Sequence, residues 1–122
     1  VTVIVHLTSE QAWERAGAAG ELRADSLDED GFIHCSTPDQ IVGVATRFYD
    51  HQTDLLLLYL EVDRVTAPVR WEPPAHPDGS APEDEHNLFP HVYGVINLDA
   101  VVHVVPLPLA DDGSYRWPAG LG

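Results

Sequence analysis

The sequence predicts an α+β fold. β-branched apolar residues open the chain, two segments with helix-start signals follow in its first half, and strand-length apolar runs fill its second half. The helices therefore fall near the N-terminus and most strands after them.

Residues 1–6 have the composition of a buried strand, and Thr8-Ser9-Glu10-Gln11 then reads as a capping box opening a helix. Trp13, Ala16 and Gly17 share a face at helical spacing, and Gly20 is the expected stop, so this helix ends near Ala19. Asp28-Glu29-Asp30-Gly31 reads as a turn before a strand over residues 32–35. Thr37-Pro38-Asp39-Gln40 repeats the start signal, with proline at the first helical position. Ile41, Ala45 and Phe48 then form the buried stripe of a second helix ending near Tyr49. Residues 55–62 are a near-continuous apolar run, the mark of a central strand covered on both faces. A break begins at Asp63, and Val69-Arg70-Trp71 reads as an edge strand crowded by prolines. Residues 73–85, rich in proline and acid, are expected to be a mobile loop. Residues 89–96 and 101–107 read as two closing strands, and residues 108–122 as a tail pinned by Tyr115 and Trp117.

At 122 residues the chain is expected to make one compact domain over residues 1–107 plus that tail. Its 20 acidic and 6 basic side chains give a net charge of −14, which argues against a broad phosphate-backbone surface but leaves room for a small ligand in a local pocket. All six basic residues are arginine, so Schiff-base and P-loop lysine chemistry are excluded. A single cysteine, Cys35, fits a reducing compartment, and the longest apolar stretch, residues 55–60, is far short of the ~20 residues that span a bilayer. A cytoplasmic protein without membrane contact is expected.

Seven histidines is a high count for so acidic a chain. Three of them stand in strands beside hydroxyl residues: His6 with Thr8, His34 with Ser36, and His91 with Tyr93. Side chains alternate along a strand, so each pair shares a face, and three such faces brought together line one cleft. The alternative is that each ring is satisfied by its local backbone. Cys35 points away from His34 and Ser36 and reads as a small buried hydrophobe. His51, His76 and His86 are expected to face solvent, and His103 to lie between valines on a strand without special role. Glu72, before Pro73, reads as a solvated carboxylate in preference to a general base. Three histidines also suit an open zinc site, but the i, i+4 spacing of a helical metal motif is missing and no metal is expected.

The strings His6-Leu7-Thr8 with Trp13, Ser26-Leu27, Gly31-Phe32-Ile33-His34-Cys35-Ser36, Gln40, Phe48-Tyr49, Trp71-Glu72 and Phe89-Pro90-His91-Val92-Tyr93-Gly94 resemble the bacterial family called domain of unknown function 952 (DUF952), over about residues 3–105. The resemblance implies a fold like that of the ADP-ribosyltransferases, a split β-sheet around a cleft for NAD as substrate. It implies that His6 and Thr8 stand at the first motif, where a histidine contacts a ribose, and that His34 and Ser36 before Pro38 stand at the second, shaping the nicotinamide pocket. At the third motif, where those enzymes place a glutamate, this chain has His91 and Tyr93, one or the other of which is expected to handle a proton. That departure is shared with histidine-rich relatives such as RNA 2′-phosphotransferases, whose substrate suits a charge of −14 poorly. For a dinucleotide, Arg15 and Arg23 are the candidate pyrophosphate ligands, because a guanidinium binds phosphate oxygens in pairs; the alternative is that they are exposed arginines on a helix and a turn. Two other classes compete with this nucleotide-cleaving reading: a non-catalytic small-ligand module and a histidine-ligated metal hydrolase.

Overall fold

The computed structural model describes residues 2–49, 52–73 and 88–118. Its first sheet is built from β1 (Val3–Ser9), β4 (Leu55–Glu61) and β8 (Val101–Pro106), antiparallel in the order β1-β4-β8. β4 is thus central, as its continuous apolar run predicts. Both of its faces are covered: Leu58 and Leu60 enter one core with Ile4, while Leu55 and Leu57 enter a second with Val5 and Leu7. Each such side chain stabilises the fold by roughly 1.5–3 kcal/mol.

A second antiparallel sheet has the order β3-β6-β5, from β3 (Ile33–His34), β6 (Phe89–Val92) and β5 (Val69–Glu72). β5 is an edge, as expected. One face of this sheet sends Ile33, Cys35 and Val92 into the first core, and the other is left for polar side chains. The two sheets join at a single rung, where Val5 and Ser36 exchange both backbone hydrogen bonds at 2.8 Å. Beyond it the strands part. The His34 carbonyl, next to be paired on a continued ladder, instead accepts from the His6 ring at Nδ1, 2.7 Å away.

Three helices, not two, occur among the described residues. α1 (Glu10–Ala19) ends where predicted, on Gly20 in the left-handed conformation (φ 82°), and its Ala16 is buried in the first core. Its cap is Ser9, whose hydroxyl accepts the Ala12 N–H at 3.1 Å; Thr8 is still strand, so the cap falls one residue later than expected and the box does not close, its third position being Ala12. α2 (Asp25–Asp30) occupies the place of the predicted turn. It lacks an apolar stripe and is held by Leu27 against the first core, by acidic residues in its first turn and by Gly31 at φ 86°. α3 (Ile41–Phe48) starts after its proline: Thr37 to Gln40 form a turn closed by a Gln40 N–H to Thr37 carbonyl bond of 3.0 Å. Ile41 and Ala45 are buried against the second core, but Phe48 is 50 % exposed. Tyr49, where the backbone leaves the helix, packs inward in its stead.

The predicted strand over residues 89–96 is broken. β6 stops at Val92, and β7 (Ile96–Asn97) pairs instead with β2 (Glu21–Leu22). Gly94 lies in the break, where a Cβ would come within 2.8 Å of the Ala67 side chain, so only glycine fits without a shift. The C-terminal segment is part of the fold as far as Pro118: Leu107 and Tyr115 are buried in the second core with Trp117 against them. The Tyr115 hydroxyl bonds the Tyr49 carbonyl and accepts the Gln52 N–H at 2.9 Å. Expectations for residues 74–85, for His51, His76 and His86, and for residues 119–122 lie outside the described residues. No described helix is long and apolar enough to cross a membrane.

Candidate functional site

The side chains at issue gather on the face of the second sheet turned away from the first core. Backbone register puts them there. His34 pairs with His91 and His91 with Arg70, while Glu72 stands two residues along β5 from Arg70 and therefore on the same face. Tyr93 follows β6 and is fixed by its N–H on the Pro68 carbonyl at 2.8 Å.

Ring contacts and a shared carboxylate bind the group together. Phe32 stacks on His91 with centroids 4.0 Å apart and planes 17° apart, meets His34 edge-on at 4.8 Å and lies tilted against Tyr93 at 5.3 Å. The His34 and His91 rings are 5.5 Å apart. Glu72 Oε1 accepts from His91 Nδ1 at 2.9 Å and from the Tyr93 hydroxyl at 2.6 Å. Arg70 lies over the Tyr93 ring, 5.0 Å from its centroid. At the opposite margin, Asp30 at the end of α2 engages His34 Nε2 at 3.0 Å.

Each ionisation follows from these contacts. Hydrogen bonds from Tyr93 and then His91 hold the Glu72 carboxyl below its usual range, so it is an anion at neutral pH. The same bond pushes the Tyr93 hydroxyl up. His91 is almost wholly buried, and burial holds its pKa below the ordinary value against the opposing pull of Glu72. Because a carboxylate can only accept, His91 carries its hydrogen on Nδ1 and offers Nε2 as a base. Its arrangement is that of an imidazole oriented by a carboxylate for proton transfer.

His6 belongs to the group by a different route. Its Nδ1–H is spent on the His34 carbonyl, and burial lowers its pKa to about 4, so the ring is neutral. No described residue engages Nε2 of His6 or His91, yet no buried side-chain nitrogen or oxygen is left without a partner, so both Nε2 atoms reach solvent. The structure thus joins His34, His91 and Tyr93 through side chains and His6 through main chain. Ser36 is buried beside them at the Val5 rung, and Thr8 is half-buried, two residues past His6 on the same face of β1.

Arg15 and Arg23 are not brought to this group by any contact among the described residues. Arg15 is exposed on α1, and Arg23 is paired with Asp28. The guanidinium that does stand beside the histidines is Arg70. Nor is Glu72 the solvated carboxylate read from sequence: it holds two partners at once. Phe32 and Asp30 were likewise missed. The i, i+2 spacing of Arg70 and Glu72 put them on one face, but nothing in the chain specified which strand that face would adjoin. Among the described residues, no group of three or more His, Cys, Asp or Glu side chains is placed to hold a metal ion. Cys35 points into the core as expected, and burial raises its pKa.

Comparison with other proteins agrees with this architecture. The chain is similar to protein CC0527 of Caulobacter crescentus: a crystal structure matches with a TM-score of 0.78 at 28% identity, covering 94% of each chain. The solution NMR structure of that protein matches with a TM-score of 0.71 at 27% identity, covering 95% of this chain and 93% of the other. No curated protein matches the chain. A family profile described as protein of unknown function (DUF952) matches residues 7–104. With most of its length covered by that match, the chain belongs to the DUF952 family.

Proposed function

We propose that the protein is an ADP-ribosyltransferase-like enzyme that binds NAD or a related nucleotide and cleaves its bond between ribose and base. The observation that carries this reading is the Glu72 carboxylate, held by His91 and Tyr93 on the histidine-bearing face. It supplies from β5 the acidic group that the third motif lacks in sequence. The parting of β1 and β3 beyond the Val5 rung supports a split-sheet fold of the same kind.

Cleavage leaves positive charge on the ribose carbon as the electron pair departs with the neutral nicotinamide. A fixed carboxylate stabilises that charge most where water is excluded. His91 Nε2 takes the proton of the attacking hydroxyl, and the resulting imidazolium stays paired with Glu72. His6 Nε2 and the Ser36 hydroxyl are acceptors for ribose hydroxyls, and Thr8 lies further along that edge.

Calorimetry with millimolar NAD, followed by chromatography for free nicotinamide, tests the reading. Binding with nicotinamide release is expected, and Glu72→Gln should slow release by about 10²-fold or more. Binding without release assigns a non-catalytic module instead. The absence of both heat and release with folded protein contradicts the proposal.

A further inference from the structure

Arg70, His91 and His34 form one cross-strand row over β5, β6 and β3. Opposed side chains in such a row stand close enough to engage one small group. Arg70 lies over the Tyr93 ring, close enough to Glu72 to act on it electrostatically, but makes no direct ion pair among the described residues, whereas Arg23 and Arg64 are paired with Asp28 and Glu61. In a chain of net charge −14, a guanidinium without a direct ion pair beside two imidazoles is a local site for an anion.

The two imidazoles are also unlike. Each is anchored by a carboxylate, His34 by Asp30 and His91 by Glu72, but the His34 side chain is 44 % exposed and that of His91 3 %. Burial disfavours the charged imidazolium, so of these two rings His91 suits the base, and His34, paired with Asp30 at the surface, is left for the acid. Loss of nicotinamide from NAD uses only the base, because the departing ring leaves neutral and needs no proton. An acid beside the base therefore points to a second kind of leaving group, an oxygen that must be protonated as it departs.

We propose that this row is a phosphoester site: Arg70 holds the phosphate, His91 takes a proton from the attacking water, and His34 gives one to the departing ribose oxygen. The substrate class is the small ribonucleoside 2′,3′-cyclic phosphate, whose single anion a lone arginine can hold and whose size spares this acidic surface an extended phosphate backbone. Water oxygen bonds to phosphorus while its proton passes to His91 Nε2. The bond from phosphorus to O2′ breaks with its electron pair on oxygen, which takes the proton from His34 Nδ1 and leaves a 3′-monoester. Proton exchange with solvent resets both rings, and no metal or redox partner enters the balance.

Phosphorus NMR of the full chain with millimolar 2′,3′-cyclic AMP, in the presence of a chelator, tests the proposal. The cyclic resonance should convert to a monoester, with a rate that falls toward low pH as His91 takes up its second proton. The charged and titratable groups facing the pair are Asp30, Glu72, Arg70, Tyr93 and His6. His34→Gln and His91→Gln should each lower kcat by about 10²-fold or more, and Arg70→Gln should raise KM by about tenfold with less effect on kcat. Should His91→Gln fail to fold, the more exposed His34→Gln decides. No conversion by folded protein, or conversion unchanged in His34→Gln, overturns the proposal. Nicotinamide release with the cyclic phosphate untouched also overturns it while leaving the glycosidic reading in place. Cyclic-phosphate conversion without nicotinamide release supports this site and removes the other.

Discussion

The two three-stranded sheets of this protein are built on opposite terms. β1 and β4 run in register from Val3 opposite Glu61 to Ser9 opposite Leu55, with an apolar core on each side. β3 has two residues and β6 four, and only one face of their sheet is apolar. Backbone ladder and burial secure the first sheet. The second is completed by side-chain bonds, from Glu72 to His91 and Tyr93, from Asp30 to His34 and from His6 to the His34 carbonyl. Those bonds are the ones that set protonation and orientation, so the chemistry sits where regular pairing is shortest.

Truncation sharpens this contrast most. Leu58, fully buried at the centre of the first sheet, should cost about 2–5 kcal/mol on Leu58→Ala, measured by urea unfolding. Trp71 on β5 is 41 % exposed, and Trp71→Ala should cost less than about 1 kcal/mol. Equal losses would erase the distinction between the sheets.

The junction of the two should respond to pH. Unfolded, the His6 ring binds a proton near 6.5; folded, it does so only near 4. Its neutral form therefore contributes stability that is complete above 6.5 and is lost as pH falls toward 4, about 3 kcal/mol in all. His6→Asn keeps an N–H for the His34 carbonyl but does not titrate. Unfolding free energies of the two proteins should diverge in slope across that window, and parallel curves would contradict the assignment. Smaller still is Gly94→Ala, where contact with Ala67 should cost about 1–3 kcal/mol in the same assay. A neutral result would mean that the break after β6 is not set by that contact.

Much of the first sheet was legible because its signals are local. An unbroken apolar run over residues 55–60 declares a strand buried on both faces, and Gly20 stops α1 by its own backbone geometry. Alternation placed His34 and His91 on shared faces with their neighbours, and edge status for β5 followed from flanking prolines. Register between strands is a different matter. Glu72 joins His91 only because β5 pairs with β6 in a particular alignment, and a connection as long as the one between them does not fix it. α2 was hidden because Leu27 is its only apolar anchor, and the break at Gly94 because its cause, Ala67, is distant in sequence. For His6 the sequence left open a site residue or a ring satisfied by backbone. Its two nitrogens divide between those readings, Nδ1 on main chain and Nε2 open.

The most direct test of the account is an NMR titration of the His91 ring nitrogens, since it reads the Glu72–His91 pair without any substrate. The expected result is a neutral ring protonated on Nδ1 at pH 7, gaining its second proton only below the ordinary histidine value of about 6.5, with the Nδ1 signal altered in Glu72→Gln. A ring protonated on Nε2 at neutral pH, or already doubly protonated there, would contradict it.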